Sequence, residues 1–264
     1  MTAGATGADG VVSLWADEAG PVDAPLIALI HGSMDRSSGM LKLGRRLDTT
    51  HRVARYDRRG YGRSVDAHGR HPGPFDMGHQ VADLLEVLAG RPAVLVGHSY
   101  GGNVALATAA HHPHLVRGVV VYETPLSWEP WWPGNTAGAA AVASGSDPEV
   151  AAERFMRRMI GDERWEALPD RTRATRRLEG AAMVAELADL RQQVPWRPED
   201  VRVPLAAGYG SGGAAHHARA MRQVAEQVAG AVVVELEGCR HDAPLSHPAL
   251  FADRLVLPLL ARLG

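Results

Sequence analysis

The stretch that decides the fold is residues 93–110, which read AVLVGHSYGGNVALATAA. It opens with a short, wholly apolar run of the kind found in a strand that is buried on both faces of a sheet. The residues after Ser99 are mostly Gly and Ala, which suit a helix lying close to that sheet. Between the two segments stands the pentapeptide GHSYG at residues 97–101. This Gly-x-Ser-x-Gly pattern predicts a sharp strand-to-helix turn that exposes the serine hydroxyl.

Short β-rich runs alternate with longer helical patterns on both sides of this stretch. Further strands are predicted at residues 11–17, 26–30, 52–56, 119–122, 203–207 and 231–236. Helices are predicted at residues 38–47, 76–88, 100–110, 214–228 and 248–263. The alternation favours an α/β fold, with a mostly parallel central sheet flanked by helices.

The pattern changes at residues 125–196, which have no strand signal but contain several helical segments. Asp147 and Pro148 form a good helix start, with an N-cap followed by proline at the first helical position. We therefore expect a core domain made of residues 1–124 and 197–264, with a helical cap inserted at residues 125–196.

The composition limits which binding partners and which cellular compartment are expected. The formal net charge of −2 and the lack of a dense basic patch argue against a nucleic-acid partner. Cys239 is the only cysteine, so no intrachain disulfide can form. Residues 1–10 lack the features of a secretion signal, and no apolar run is long enough to span a membrane. We expect a cytoplasmic protein with no membrane partner, whose oligomeric state the sequence leaves open.

Nothing in the sequence calls for a cofactor or a metal. It contains neither a Walker-type phosphate loop nor a dinucleotide fingerprint. The histidines in residues 111–114 and the pair His216 and His217 have no partners at metal-ligand spacing, and we expect both groups to face solvent.

Two further motifs accompany the Gly-x-Ser-x-Gly turn. The apolar run at residues 26–30 ends in His31-Gly32-Ser33, and residues 57–64 read DRRGYGRS. Together the three motifs resemble the α/β-hydrolase superfamily, and the resemblance covers nearly the whole chain. It implies the α/β-hydrolase fold with about seven or eight strands. It also implies that Ser99 is the nucleophile.

The resemblance further implies an oxyanion hole. The backbone N–H groups of Ser33 and Tyr100 are the expected donors, with Met34 as a second choice for the first donor. His31 is expected to brace the loop and not to act as the base. The segment at residues 57–64 is expected to be structural.

In this superfamily the acid and the histidine follow the serine in the chain. The sequence after the last predicted strand, GCRH at residues 238–241, is similar to the superfamily's Gly-x-x-His loop and makes His241 the expected base. His247 is its rival, but it belongs to a helix-start motif. Cys239 lacks an elbow motif and is expected to be a small buried side chain.

The position of the catalytic acid departs from the commonest pattern of the superfamily. The loop at residues 208–213, where most relatives carry an Asp, reads GYGSGG and holds no carboxylate. Some members of the superfamily place the acid after the preceding strand, where this chain has Glu123. Glu123 would accept the imidazole N–H and fix its tautomer. Asp242 is poorly placed to orient its neighbour His241. A Ser-His dyad without an acid, or a degenerate site, stays open.

The predicted cap is the only guide to the substrate. It holds five of the six tryptophans, which suggests a lid over a largely apolar pocket, although a small helical cap also needs large side chains for its own core. The residues expected at the substrate pocket are His31, Met34, Trp128, Trp131 and Trp132.

The sequence therefore predicts a serine hydrolase that acts on a small, largely apolar ester, lactone, thioester or related carbonyl substrate. The Ser99 acyl-enzyme would be its intermediate, with His241 as base. Two alternatives remain. One is carbon–carbon bond hydrolysis or a lyase reaction at the same site. The other is a non-catalytic ligand-binding protein that keeps the scaffold.

Overall fold

The computed structural model describes residues 12–143 and 145–264. Residues 1–10, which the secretion argument concerned, and Val11, the start of the first predicted strand, lie outside the described residues.

The described residues form one sheet of seven strands in the order β1-β3-β2-β4-β5-β6-β7. β1 pairs with β3 in antiparallel fashion, and every other pair is parallel. The strands are β1 (Ala16–Ala19), β2 (Leu26–Ile30), β3 (Arg52–Tyr56), β4 (Ala93–His98), β5 (Val116–Tyr122), β6 (Leu205–Gly210) and β7 (Val232–Leu236). The predicted α/β-hydrolase architecture is confirmed.

Helices cover both faces of the sheet. They are α1 (Leu41–Leu47), α2 (Met77–Leu88), α3 (Tyr100–His111), α4 (Ala137–Ala143), α5 (Pro148–Ile160), α6 (Asp162–Glu166), α7 (Asp170–Leu178), α8 (Gly180–Gln192), α9 (Ala215–Gln227), α10 (Ala243–Ser246), α11 (Pro248–Phe251) and α12 (Leu257–Leu263). One apolar core lies between the sheet and α2, α3 and α9, and the other lies beneath α1 and the C-terminal helices. Within the described ranges, no helix combines the length and hydropathy that crossing a bilayer requires.

Burial on both faces explains why the central strands are apolar along their whole length. Every residue of β2 and β4 is buried. Because parallel strands in one sheet end at a common edge, the residues that follow β2, β3, β4 and β5 meet there. Those residues include His31, Asp57, Ser99 and Glu123, so the sheet brings distant sequence motifs together.

Between β5 and β6 the chain leaves the sheet and forms α4 to α8, here called the helical insertion. Its helices pack on one another, with Trp165 of α6 fully buried. Two fully buried carboxylates, Glu179 and Glu186, extend from the insertion to the loops after β2 and β3. The insertion is thus held over the sheet edge by charge as well as by apolar packing.

Several predicted elements have different bounds in the structure. A strand predicted at residues 11–17 is observed as Ala16–Ala19, and Ser13 makes only an isolated bridge with Val65. The helix predicted from residue 38 starts at Leu41, after three overlapping turns between Arg36 and Leu41. The closing helix predicted at residues 248–263 is interrupted by the π-helical segment Ala252–Val256.

Candidate active site

Ser99 lies at the turn between β4 and α3, in a backbone conformation that few residues adopt. Its φ of 53° and ψ of −125° place it in a strained region, and strain of this kind concentrates at functional sites. Its backbone N–H donates to the carbonyl of Tyr122 at 2.9 Å, which ties the turn to the neighbouring strand. The side chain is half-buried and lies on the wall of a cavity.

The glycines of the turn are required by close packing. A Cβ on Gly97 would lie 2.5 Å from the carbonyl oxygen of Gly101. One on Gly101 would lie 2.4 Å from the carbonyl oxygen of Ile30. Any larger residue would therefore push α3 away from the sheet, so the pattern GHSYG is a steric requirement of the turn.

His241 and Glu123 meet at the same edge of the sheet. His241 Nδ1 lies 2.7 Å from Glu123 Oε2, and the other carboxylate oxygen accepts the Gly210 backbone N–H at 3.0 Å. The Glu123 side chain is fully buried, whereas that of His241 is 25% exposed. With Nδ1–H donating to the carboxylate, Nε2 of His241 is left as an acceptor. Of the two histidines weighed as base, it is His241 that pairs with the carboxylate, while the exposed His247 contacts Ser246.

Two further histidine rings contact the His241 ring. The His98 centroid lies 4.7 Å from that of His241, and the His217 ring stacks on His241 at 4.8 Å and 26°. His98 Nε2–H donates to the His241 carbonyl at 2.7 Å, which fixes the loop that carries His241. Burial, and then the nearby His241, holds the pKa of both rings well below the ordinary histidine value. Both rings are therefore neutral at physiological pH.

The expectation that His216 and His217 face solvent is wrong. Both line the cavity, and the Trp132 ring packs edge-on against His216 at 4.8 Å. Both residues lie in the first turn of α9, which follows the loop after β6. Two adjacent histidines at a helix start carry no local signal for this placement, so sequence reasoning missed them.

The loop after β2 approaches the serine very closely. A Cβ on Gly32 would lie 2.9 Å from Ser99 Cβ and 3.5 Å from its Oγ. His31 braces this loop: Nδ1–H donates to the Gly32 carbonyl at 2.8 Å, and Nε2 accepts the Arg58 backbone N–H at 2.9 Å. Burial, with a smaller effect from the Arg58 charge, lowers the pKa of His31 to about 3. This neutral, fully bonded ring is a structural element of the loop.

A buried charge network fixes the same loop from the insertion side. Glu186 of α8 accepts from Ser33 Oγ at 2.5 Å, from Tyr61 OH at 2.5 Å, and from Arg58 Nη1 at 2.8 Å. Arg58 and Glu186 are both fully buried. No motif marked Glu186, because only the docked position of α8 brings it to these partners.

The cavity beside Ser99 has a volume of about 290 Å³. Its wall includes the predicted residues Ser33, Tyr100, Glu123, Trp132 and His241. The other residues expected at the pocket lie elsewhere. His31 and Met34 are buried in the loop, whereas Trp128 packs edge-on against Trp196 and Trp131 donates its indole N–H to Gln223. Insertion residues Phe155, Met159 and Leu187 supply the apolar part of the wall.

One group of described residues has the donor types of a metal site. Ligand atoms of Glu123, His217 and His241 lie within 4.8 Å of one another. However, Glu123 and His241 already bond to each other, so a metal there would have to break that hydrogen bond. Cys239 is buried, and burial raises the pKa of its thiol, which keeps it protonated.

The chain is similar to known hydrolases in sequence and in structure. The alpha/beta hydrolase family matches residues 27–254. A hydrolase from Pseudomonas aeruginosa PA01 is 26% identical, with 96% of each chain covered and a TM-score of 0.73. The enol-lactonase from Burkholderia xenovorans LB400 is 25% identical, with 95% of this chain and 97% of that chain covered and a TM-score of 0.70.

Among curated proteins, the pimeloyl-[acyl-carrier protein] methyl ester esterase of Aromatoleum aromaticum is 29% identical over 59% of this chain and 69% of its own length. Matches to other curated relatives are shorter and span 26%, 39% and 43% of their lengths. The family match extends over most of the chain and includes the strand ends that carry Ser99, Glu123 and His241. The chain therefore belongs to the alpha/beta hydrolase family.

Proposed function

We propose that this protein is a serine hydrolase that cleaves an ester, lactone, thioester or related carbonyl substrate through a Ser99 acyl-enzyme. The observation that carries the proposal is the hydrogen bond between His241 Nδ1 and Glu123 Oε2 on the wall of the cavity that Ser99 lines. A histidine held by a buried carboxylate beside a strained serine is the arrangement that nucleophilic catalysis requires.

In the acylation step, Ser99 Oγ attacks the substrate carbonyl carbon while His241 Nε2 takes the hydroxyl proton. The imidazolium that forms is stabilised by the Glu123 carboxylate. His241 then passes this proton to the leaving alcohol or thiol as the tetrahedral intermediate collapses. In deacylation His241 activates water in the same way, releases the acid and restores the Ser99 hydroxyl.

The oxyanion is assigned to the backbone N–H groups of Ser33 and Tyr100. Tyr100 is the first residue of α3, where backbone N–H groups have no partner within the helix. Ser33 follows Gly32, whose missing side chain lets this loop approach the serine. The Glu186 contact to Ser33 Oγ holds the loop in that position.

The helical insertion has the position of a cap. Of the described residues, we assign 12–124 and 197–264 to the core domain and 125–143 and 145–196 to the cap. Apolar cap residues such as Phe155 and Leu187 would hold the carbon skeleton of the substrate above Ser99. The cavity volume of about 290 Å³ suits a small substrate.

The relatives favour carboxylic esters and lactones as the substrate class. One solved neighbour is named an enol-lactonase, and one curated relative is named a methyl ester esterase. Both names describe attack on a carboxylic ester bond, which is the chemistry assigned here to Ser99.

Steady-state hydrolysis of short-chain p-nitrophenyl esters tests the proposal. Wild type should turn over, and Ser99→Ala and His241→Ala should each lower kcat by at least about 10³-fold with an unchanged circular dichroism spectrum. His247→Ala is the matched control and should keep wild-type activity. Activity that survives in Ser99→Ala would contradict the proposal. A folded wild type inert toward all esters would support the binding-protein alternative.

A further inference from the structure

Two arginines of the helical insertion lie on the wall of the cavity that contains Ser99. Arg158 is in the last turn of α5, and Arg191 is in the last turn of α8. Many arginines of this chain pair with carboxylates, including Arg58 and Arg157. Within the described ranges, neither Arg158 nor Arg191 forms an ion pair. Both guanidinium groups instead bond to backbone carbonyls.

Each of those bonds uses only part of the guanidinium. Arg158 Nη2 donates to the Asn135 carbonyl at 2.7 Å, and Arg191 Nη1 donates to the Leu187 carbonyl at 2.7 Å. A guanidinium has five N–H donors in a planar fork that matches the two oxygens of a carboxylate. Most donors of both side chains therefore remain available to a ligand in the cavity.

The rest of the wall offers these cations no counter-charge. Among the described residues that line the cavity, Glu123 is the only carboxylate, and its two oxygens accept from His241 and Gly210. Burial lowers the pKa of Arg191, as expected for a cation that has lost solvent without gaining an anion. A partly desolvated charge is stabilised when a ligand of opposite charge enters.

We propose that the cavity binds a substrate that carries a carboxylate in addition to its scissile ester, with Arg191 and Arg158 as the carboxylate-binding residues. The inference rests on the proposed function and narrows its substrate class. Phe155, Met159 and Leu187 line the same wall and contact the carbon chain that separates the two groups. The cavity volume of about 290 Å³ limits that chain to a few carbons.

Matched ester pairs test the inference. The monomethyl esters of succinate, glutarate and adipate are compared with methyl esters of uncharged acids of the same length. Acetate esters of short hydroxy acids cover the case in which the carboxylate is on the alcohol side. Wild type should prefer the charged member of at least one pair. In Arg191→Gln the ratio of the two kcat/KM values should fall roughly 10–100-fold, with a smaller fall in Arg158→Gln.

Arg154→Gln is the matched control, because Arg154 lies on α5 but is not among the residues that line the cavity. It should leave both rates and their ratio unchanged. If wild type has nearly equal kcat/KM values for the two esters of every pair, the inference is overturned while the proposed function stands. The inference is also overturned if Arg191→Gln lowers kcat/KM equally for both esters, since that pattern indicates a structural role at the helix end.

Calorimetric titration with glutarate and with inorganic phosphate keeps the inference testable if no ester is hydrolysed. Glutarate binding to wild type that is weakened in Arg191→Gln would support the carboxylate site even if the proposed function fails. Absence of glutarate binding, or equal affinity for phosphate, would overturn it.

Discussion

Glu123 and Glu186 are both fully buried carboxylates near Ser99, yet they do different things. Glu123 follows β5 and holds His241, a side chain that is 25% exposed. Glu186 lies within α8 and holds Arg58, which is fully buried and always charged. The difference is in the partner: a carboxylate that faces histidine can support proton transfer, whereas one that faces arginine fixes structure.

The two carboxylates also contribute to the site in different ways. Glu123 contacts His241, the proposed base, and would define its tautomer. Glu186 reaches Ser33 Oγ and Tyr61 OH and so positions the loop that is proposed to hold the oxyanion. Replacement of Glu123 should therefore lower the catalytic rate far more than the stability of the fold. Replacement of Glu186 should mainly lower the stability of the fold.

The largest effect is expected for Glu123→Gln. The neutral amide cannot stabilise the imidazolium and can leave His241 in the wrong tautomer, so kcat should fall about 10²- to 10⁴-fold with little change in Tm. Ester turnover and thermal unfolding measure the two effects. Glu86→Gln, on the exposed face of α2, is the control. Near-normal turnover in Glu123→Gln would remove Glu123 from the triad.

Glu186→Leu should instead act on stability. It leaves Arg58 buried without a counter-charge, which costs about 3–5 kcal/mol and lowers Tm by roughly 10 °C. Replacing both residues, as Arg58→Met with Glu186→Leu, removes the unpaired charge and should recover part of that loss. The distinction between the two carboxylates fails if the double variant is no more stable than the single one.

Gly32→Ala tests whether the loop held by Glu186 must approach the serine. The added methyl would meet Ser99 Cβ at 2.9 Å, so the loop has to move and kcat should fall roughly 10–100-fold. Gly134→Ala is the matched control, because nothing lies within 4 Å of a Cβ at that position. Equal kinetics for the two variants would show that the close approach is not needed.

The smallest expected effect is a loss of folding stability at acidic pH that is caused by His31. Its pKa is about 3 in the folded protein, compared with about 6.5 in the unfolded chain, so only the unfolded chain gains a proton between these values. The stability from the neutral ring is complete above pH 6.5 and is lost as pH falls, by about 2 kcal/mol between pH 7 and 5. Asp57, Arg58 and Arg176 also act on this ring.

Urea unfolding of wild type and His31→Gln at pH 7 and pH 5 measures this effect. The variant should be less stable at pH 7 but should lose less stability on acidification. Parallel pH dependences would show that His31 does not contribute.

Sequence reasoning located the parts of the site that depend on local signals. The turn at Ser99 is defined by close packing at Gly97 and Gly101, which only glycine satisfies. Glu123 could be proposed because the ends of parallel strands meet at one edge, so a carboxylate after β5 can reach a histidine after β7.

The remaining parts depend on how helices dock, which periodicity does not reveal. Glu186 has the sequence context of an ordinary solvent-facing helical glutamate, and only the packing of α8 against the loops after β2 and β3 buries it. The same limit explains why the sequence predicts a solvent-facing His217, although its ring stacks on His241. The tryptophan content leaves a lid and a cap core both open, and the structure places Trp165 in the core of the insertion.

Whether Ser99 is activated can be measured directly with a fluorophosphonate probe and intact-protein mass spectrometry. Wild type should gain one adduct, located on Ser99 by peptide mapping, while Ser99→Ala should gain none and Glu123→Gln should label more slowly. A folded wild type that stays unlabelled, or an adduct on another residue, would contradict the assignment of Ser99 as nucleophile.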